Sequence, residues 1–309
     1  MNPQSARCGA STGETLSGPS SLVTGRRLSR LRAYSILHGM FSRRTFASLV
    51  LAFSTLVSCS GDGGRGKPLR LATTTSVQDS GLLAALLPAF SESSGRAVEV
   101  NAVGSGKALE LLHTGQADVA LTHSPVDEDK ALAAGEVGAR TPVMRNEFVL
   151  VGPADHDNVV AGATDVVGAL RAIADSNQRF VSRGDGSGTH QREQELWTAA
   201  GVPADSPFIV SAQAGMGETL KAAAREQAFT LSDRATFFAR RSGLGLVIVF
   251  QAGHALDNIY SVIEPAPSTG ADVAGARTFA SFMRSERGRS LIGSFGVQTY
   301  GEPLFTPVD

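Results

Sequence analysis

The chain reads as an α/β protein folded in two lobes, and three features of the sequence predict this. Strand-like and helix-like stretches alternate through most of its 309 residues, the pattern expected of mainly parallel sheets with crossover helices. Three of the strand-to-helix junctions are rich in glycine and hydroxyl residues, and open α/β sheets place their ligands at such carboxyl ends of strands. Two of these junctions lie far apart in the chain, so their donors meet most simply across a cleft between lobes.

The first junction follows a β-type run at residues 69–72 and holds Thr73, Thr74, Thr75 and Ser76. The helix after it carries Leu82, Leu83, Leu86, Leu87 and Phe90 on one face. The second follows the alternating run Val98, Val100, Ala102: Gly104, Ser105 and Gly106 open a helix bearing Leu109, Leu111 and Leu112. The third is Val-Ser-Arg-Gly-Asp-Gly-Ser-Gly-Thr-His at residues 181–190. A helix start leaves backbone N–H groups unpaired and carries a partial positive charge, so an anion there meets donors already aimed at it. Arg183 adds a permanent charge in a planar fork, and Gly184, Gly186 and Gly188 let the backbone turn and come close to a ligand. The alternative for each junction taken alone is plain Ser/Thr helix capping; three copies make that coincidence harder to sustain.

Further strands are expected at residues 119–122, 148–151, 180–182, 246–250 and 259–263. Residues 145–153 (Arg-Asn-Glu-Phe-Val-Leu-Val-Gly-Pro) read as an extended crossover and residues 260–265 as the return, followed by a helix with Phe279, Phe282 and Met283 on one face. The resulting division is 1–58 leader, 59–67 tether, 68–147 plus 266–309 first lobe, and 148–265 second lobe.

The leader carries Arg43-Arg44-Thr45-Phe46 before an apolar run at residues 47–57, too short to span a bilayer and so read as a signal-peptide core. The paired arginines resemble a twin-arginine export motif. Leu56-Val57-Ser58-Cys59 resembles a bacterial lipobox, which makes Cys59 the expected lipidated first residue of the mature protein. Residues 60–67 suit a flexible tether, and Met40 sits where a signal peptide would begin, so translation is expected to start there. The other cysteine is Cys8, which leaves no disulfide and no Cys-based metal site after Cys59. Seven of the 28 basic and one of the 29 acidic residues precede Cys59, leaving 21 against 28, a net charge of −7. That balance argues against nucleic acid as a partner and leaves local dipoles and Arg183 to hold any anion.

Several motifs together resemble the tungstate-binding proteins of bacterial ABC importers. They are Thr-Thr-Thr-Ser (73–76) with Asp-Ser-Gly-Leu-Leu (79–83), Ala-Val-Gly-Ser-Gly (102–106), the 143–153 run, the 182–190 run, Gly-Met-Gly-Glu-Thr-Leu (215–220) and Tyr-Ser-Val-Ile (260–263). Order and spacing agree from about residue 69 to 305. Ser105 and Lys107 stand where the family more often has Thr and Gln, and Ser124 where an Asp would follow the histidine. The resemblance implies a type II periplasmic binding fold, two lobes with a ligand cleft between them, closing on tungstate, with molybdate as the close second ligand. It also implies an exported, periplasmic or cell-surface lipoprotein, monomeric and held to the membrane by its lipid alone, which delivers the ion to a permease and its ATPase, with no cofactor and no catalysis.

A fully ionised tetrahedral dianion offers only acceptors, so its site should present donors. The expected ligand-binding residues are Thr74, Thr75, Ser76, Ser105, Gly106, Arg183, Ser187, Gly188 and Thr189. Asp185 is expected to cap a helix or pair with Arg183. As an acceptor facing the ligand, it would instead favour protonated phosphate, so a phosphate or sulfate binder is the alternative within the class. A secreted serine hydrolase is the alternative outside it, since Asp185, Ser187 and His190 supply triad residue types. Against that, Gly186-Ser187-Gly188 lacks Gly-x-Ser-x-Gly spacing. His113, His123, His156 and His254 show no metal-ligand spacing and read as surface or core residues. Asp233 and Arg234 either reach the cleft or brace the Arg183 loop, with bracing preferred, and Gly215 and Gly217 either line the cleft or shape a helix start.

Overall fold

The structure, a computed structural model, describes residues 66–308. The leader, Cys59 and most of the tether lie outside the described residues. The first lobe begins β1 (Leu69–Thr74), α1 (Thr75–Ser80), α2 (Leu82–Ser94), β2 (Val98–Val103), α3 (Ser105–His113), β3 (Val119–Thr122) and α4 (Pro125–Ala133). The 17-residue strand β4 (Val137–Pro153) then leads into α5 (Val166–Asp175), β5 (Phe180–Ser182), α6 (Gly188–Ala200), β6 (Ile209–Ser211), α7 (Met216–Glu226), β7 (Thr230–Asp233), α8 (Arg234–Arg240) and β8 (Leu246–Phe250). The chain returns through β9 (Asp257–Pro265) to α9 (Val273–Arg284), α10 (Glu286–Ser294), α11 (Val297–Tyr300) and β10 (Thr306–Pro307).

Strand order in the larger sheet is β10-β4-β9-β3-β1-β2, while β7 and β8 pair with the far end of β4. Thus residues 137–147 of β4 face β9, and Phe148–Pro153 face β7 and β8. β9 pairs with β3 as well as β4, so it lies in the first lobe's sheet. The expectation of mainly parallel sheets is corrected. β1 runs parallel to β2 and β3, and β5 to β6, but β4 and β9 run against their neighbours. β4 pairs antiparallel with β9 in one lobe and with β7 and β8 in the other, and β9 antiparallel with β3, reversals that alternation of elements does not encode. β6, β7 and β10 were not foreseen either.

Each lobe buries its own apolar layers. In the first, Leu71, Leu86, Phe90, Phe279 and Met283 fill one face of the sheet, and Ala72, Leu109, Leu112 and Ile263 the other. In the second, Phe148, Leu150, Leu170, Phe180, Trp197 and Phe229 pack on one side, and Val149, Val151, Val181, Leu220 and Phe237 on the other. The alternation of Phe148, Val149, Leu150 and Val151 between two cores is the period-two signature of a strand covered on both faces. Helix starts are capped locally: Thr74 caps α1, Asp165 α5, Ser187 α6 and Asp233 α8, each accepting from a backbone N–H three residues on.

Candidate functional site

The three junctions named from the sequence come together where the lobes meet. Thr73 Oγ1 donates to Leu121 O at 2.9 Å, and Thr74 Oγ1 accepts from Val77 N at 3.3 Å. Both hydroxyls therefore fasten the first junction, Thr73 by donating and Thr74 by accepting, which leaves the Thr74 hydroxyl hydrogen free to donate. Thr75 and Ser76, at the start of α1, instead face Arg183. That guanidinium has no exposed surface, and Arg183 is the only buried arginine or lysine among the described residues. Its Nη2 donates to Thr75 Oγ1 at 2.7 Å, and its Nη1 to Ser76 Oγ at 3.1 Å and Thr189 Oγ1 at 3.2 Å. Nε donates to Asp185 Oδ2 at 3.0 Å. One side chain thus joins hydroxyls of both lobes.

α3 and α6 bring their N-terminal ends to the same junction. Ser105 is fully buried and its Oγ has no hydrogen-bond partner among the described residues, while α3 begins at Gly104 with no side-chain cap. Gly106 lies beside Asp127: a Cβ there would stand 3.6 Å from Asp127 Oδ2. Ser187 Oγ caps α6 by accepting from His190 N. At Gly188 a Cβ would stand 2.9 Å from His123 O and 3.2 Å from both Ser105 Oγ and Ser124 Cβ, so the lobes approach this closely because no side chain intervenes. The loop before α6 turns through Gly184 and Gly186, both left-handed (φ 68° and 70°).

Asp185 is a partner of Arg183, and its Oδ1 also accepts from Ser187 N at 3.1 Å. Each carboxylate oxygen therefore takes one internal donor, Oδ2 from Arg183 and Oδ1 from Ser187 N, which is the pairing role expected of Asp185. The hydrolase constellation does not assemble. Ser187 Oγ accepts from His190 N and His190 Nδ1 accepts from Gly186 N at 2.9 Å, and among the described residues no nucleophile-to-base hydrogen bond joins the two side chains.

The preferred role for Asp233 and Arg234 is corrected: neither hydrogen-bonds the Arg183 loop. Asp233 Oδ1 caps α8 through Thr236 N (2.9 Å) and accepts from Asn146 Nδ2 (3.3 Å), while Arg234 pairs with Glu302 at 2.6 Å. Gly215 and Gly217 sit on the lobe interface. Gly217 N donates to Asp79 Oδ2 at 3.2 Å, beside an Asp79–Arg240 ion pair. On another side of the junction Gln191 bridges Ser124 Oγ (2.7 Å) and Asp127 Oδ2 (2.5 Å).

His123 was read as an ordinary histidine, yet it stands at the end of a buried polar relay. Thr236 N makes Asp233 Oδ1 an acceptor, so Asn146 offers it Nδ2 and turns Oδ1 to Asn258. Asn258 Nδ2 then donates to that oxygen at 2.8 Å and to Tyr260 Oη at 2.9 Å, leaving Asn258 Oδ1 against His123 Nδ1 at 2.9 Å. His123 Nδ1 therefore carries the proton, while Nε2, buried without a partner among the described residues, holds a lone pair. The ring stacks on Tyr260 at 4.7 Å. Burial first, and then the nearby Arg183 charge, push the imidazole down to about 4, so it is neutral at physiological pH. No local spacing marks these residues, since they come from four separate elements. A cavity of about 260 Å³ borders the cradle at His123, Gly188 and Gln191, with Phe148 and Asn258 on its walls.

Two α/β lobes joined by crossing strands, with polar helix starts facing one another at the junction, define a two-lobed solute-binding protein of the periplasmic type. A PBP superfamily domain model matches residues 61–287. The chain is 44% identical to the tungstate-binding protein TupA of Peptoclostridium acidaminophilum over 77% of its own length and 84% of that protein. Among solved structures it is similar to the tungstate ABC transporter protein of Geobacter sulfurreducens, with 38% identity, TM-score 0.68 and coverage of 74% of this chain and 98% of that one. It is also similar to the tungstate-binding protein TupA of Desulfovibrio alaskensis G20, with 35% identity, TM-score 0.66 and coverage of 79% and 99%. The chain belongs to the tungstate-binding protein family of the periplasmic-binding-protein superfamily.

Proposed function

We propose that this protein is the substrate-binding component of an ABC importer, which captures tungstate, with molybdate as second ligand, between its lobes and delivers it to the membrane permease and its ATPase. The observation that carries this reading is Arg183: a buried guanidinium among hydroxyls of both lobes, next to the starts of α1, α3 and α6 and the unpartnered Ser105 Oγ. The guanidinium and the hydroxyl hydrogens, which the bonds from Arg183 leave free, are donors that suit an ion with acceptors alone, and the relatives' names supply the metal. The residues proposed to hold the ion are Thr75, Ser76, Ser105, Arg183 and Thr189 with side chains, Thr74 and Ser187 with hydroxyl or backbone, and Gly106 and Gly188 through the backbone. The reading includes no covalent chemistry and no cofactor.

A ligand bound only by the native state raises the melting temperature with its concentration. Tungstate and molybdate should each do so at micromolar levels, sulfate and phosphate not. Equal shifts from sulfate would remove the metal-oxyanion assignment, and no shift from any of the four would remove the binding reading itself.

Export as a monomeric lipoprotein anchored at Cys59 belongs to the same proposal and rests on the Arg43-Arg44 and Leu56-Val57-Ser58-Cys59 motifs. Radiolabelled palmitate fed to cells should label the protein and fail to label Cys59→Ala. Unlabelled parent protein would leave only an exported soluble form.

A further inference from the structure

The surroundings of Arg183 hold more carboxyl groups than one guanidinium can offset. Asp185 pairs with it directly at 3.0 Å. Glu193, almost wholly buried on α6, accepts from the Arg183 backbone N–H through Oε2 at 3.1 Å and from the Ser182 hydroxyl. Asp233, fully buried at the end of β7, also lies within the field of the guanidinium. A dianion arriving at the same cradle would add two negative charges to an enclosed region with three carboxyl groups and a single buried cation. Burying uncompensated charge is so unfavourable that a group able to take up a proton does so.

Resting on the anion-binding reading above, we propose that the protein takes up a proton together with its anion and that Glu193 holds it. A proton from solvent adds to a Glu193 carboxylate oxygen, an O–H bond forms, and no other bond changes. The carboxyl stays hydrogen-bonded as an acceptor to Arg183 N, so the loop geometry survives neutralisation. A cavity of about 170 Å³, lined by Ser182, Gly184, His190, Glu193, Trp197 and Ser211, reaches the carboxyl from behind the cradle and gives the proton its path.

The charged and titratable groups around Glu193 are few. The loop presents Arg183 and Asp185, and β7 packs Asp233 against α6. On α6 itself lies His190, which burial lowers and which is neutral with Nδ1 accepting from Gly186 N. α5 contributes Arg171, turned to the Ala199 and Ala200 carbonyls at the far end of α6. β5 and β6 offer only Ser182 and Ser211. In the ligand-free protein, burial raises the Glu193 carboxyl to about 7, and a nearby dianion raises it further. Below the ligand-free value the group is protonated in both states, and binding takes up nothing. Above it, binding takes up a proton and affinity falls as pH rises.

Titration calorimetry of the full chain with sodium tungstate, repeated in buffers of different ionisation enthalpy, counts these protons. At about pH 8 the uptake should approach one per anion, and at about pH 6 it should be near zero. Between the two, the dissociation constant should rise toward about tenfold per pH unit. Glu193→Gln keeps the acceptor for Arg183 N and should abolish both the uptake and the slope, binding more tightly than the parent at about pH 8. Tungstate binding with no proton uptake in the parent protein would overturn this inference alone, and so would uptake undiminished in Glu193→Gln. Absence of any tungstate binding would instead remove the functional reading. The buffer series on the parent protein decides the point even if the variant folds poorly.

Discussion

Arg183→Ala is expected to lose tungstate binding by roughly 100-fold to 20,000-fold. The estimate follows from removing at least two hydrogen bonds to a charged ligand, each contributing about 1.5–3 kcal/mol, at about 1.4 kcal/mol per tenfold in affinity. Loss of the cation also leaves the Asp185 carboxylate beside the anion without its partner, which adds to the deficit. Thr75, Ser76 and Thr189 keep free hydroxyls that can bond water, and Asp185 keeps Ser187 N, so the variant should fold with a modestly lower melting temperature. Arg183→Lys should recover little, because a single ammonium cannot reach Thr75, Ser76, Thr189 and Asp185 in the fork geometry seen here. Isothermal titration of both variants is the measurement, and parent-like affinity in the alanine variant would dismiss the assigned role.

Gly188→Ala should weaken binding by about 1–3 kcal/mol, the usual range for an inserted methyl in a packed region, or roughly 5- to 150-fold. The new methyl would meet His123 O at 2.9 Å and Ser105 Oγ and Ser124 Cβ at 3.2 Å. All three belong to the other lobe, so the strain falls on closure and not on folding. Gly188 is the first residue of α6 and does not have positive φ, so alanine suits the helix itself. The expected signature is an unchanged ligand-free melting temperature with a much smaller stabilisation by tungstate. A variant that binds within twofold of the parent would show that the lobes do not need this approach.

The parts of the site legible in the sequence are the local ones. Thr75, Ser76, Ser105 and the Arg183 loop each announce themselves as strand, then glycine or hydroxyl, then helix, because capping and anion binding use the same few consecutive residues. Glu193 was not legible. It lies on a mostly polar helix where nothing distinguishes it from the exposed Glu195, and its burial follows from the packing of α6 over β5 and β7. The relay through Asp233, Asn146, Asn258 and His123 was invisible for a related reason: it joins β7, β4, β9 and the loop after β3, which meet only once the sheets form. Among the strands, β3, β5 and β8 match the sequence expectation to the residue, since each is a short, mostly apolar run. The first half of β4 escaped notice because Gly138, Arg140 and Thr141 leave it partly exposed, and β7 because Thr230, Ser232 and Asp233 are polar although fully buried.

β4 contributes one unbroken backbone to both sheets, pairing with β9 on one side of the cleft and with β7 and β8 on the other. Opening the molecule to release its cargo therefore cannot proceed by peeling one half away. It must be absorbed as torsion spread over a few residues near Asn146, where the ladder passes from one partner strand to the next. Far-ultraviolet ellipticity should then stay constant through loading and unloading, and amides along β4 should remain protected from solvent exchange while the rims of the cleft do not.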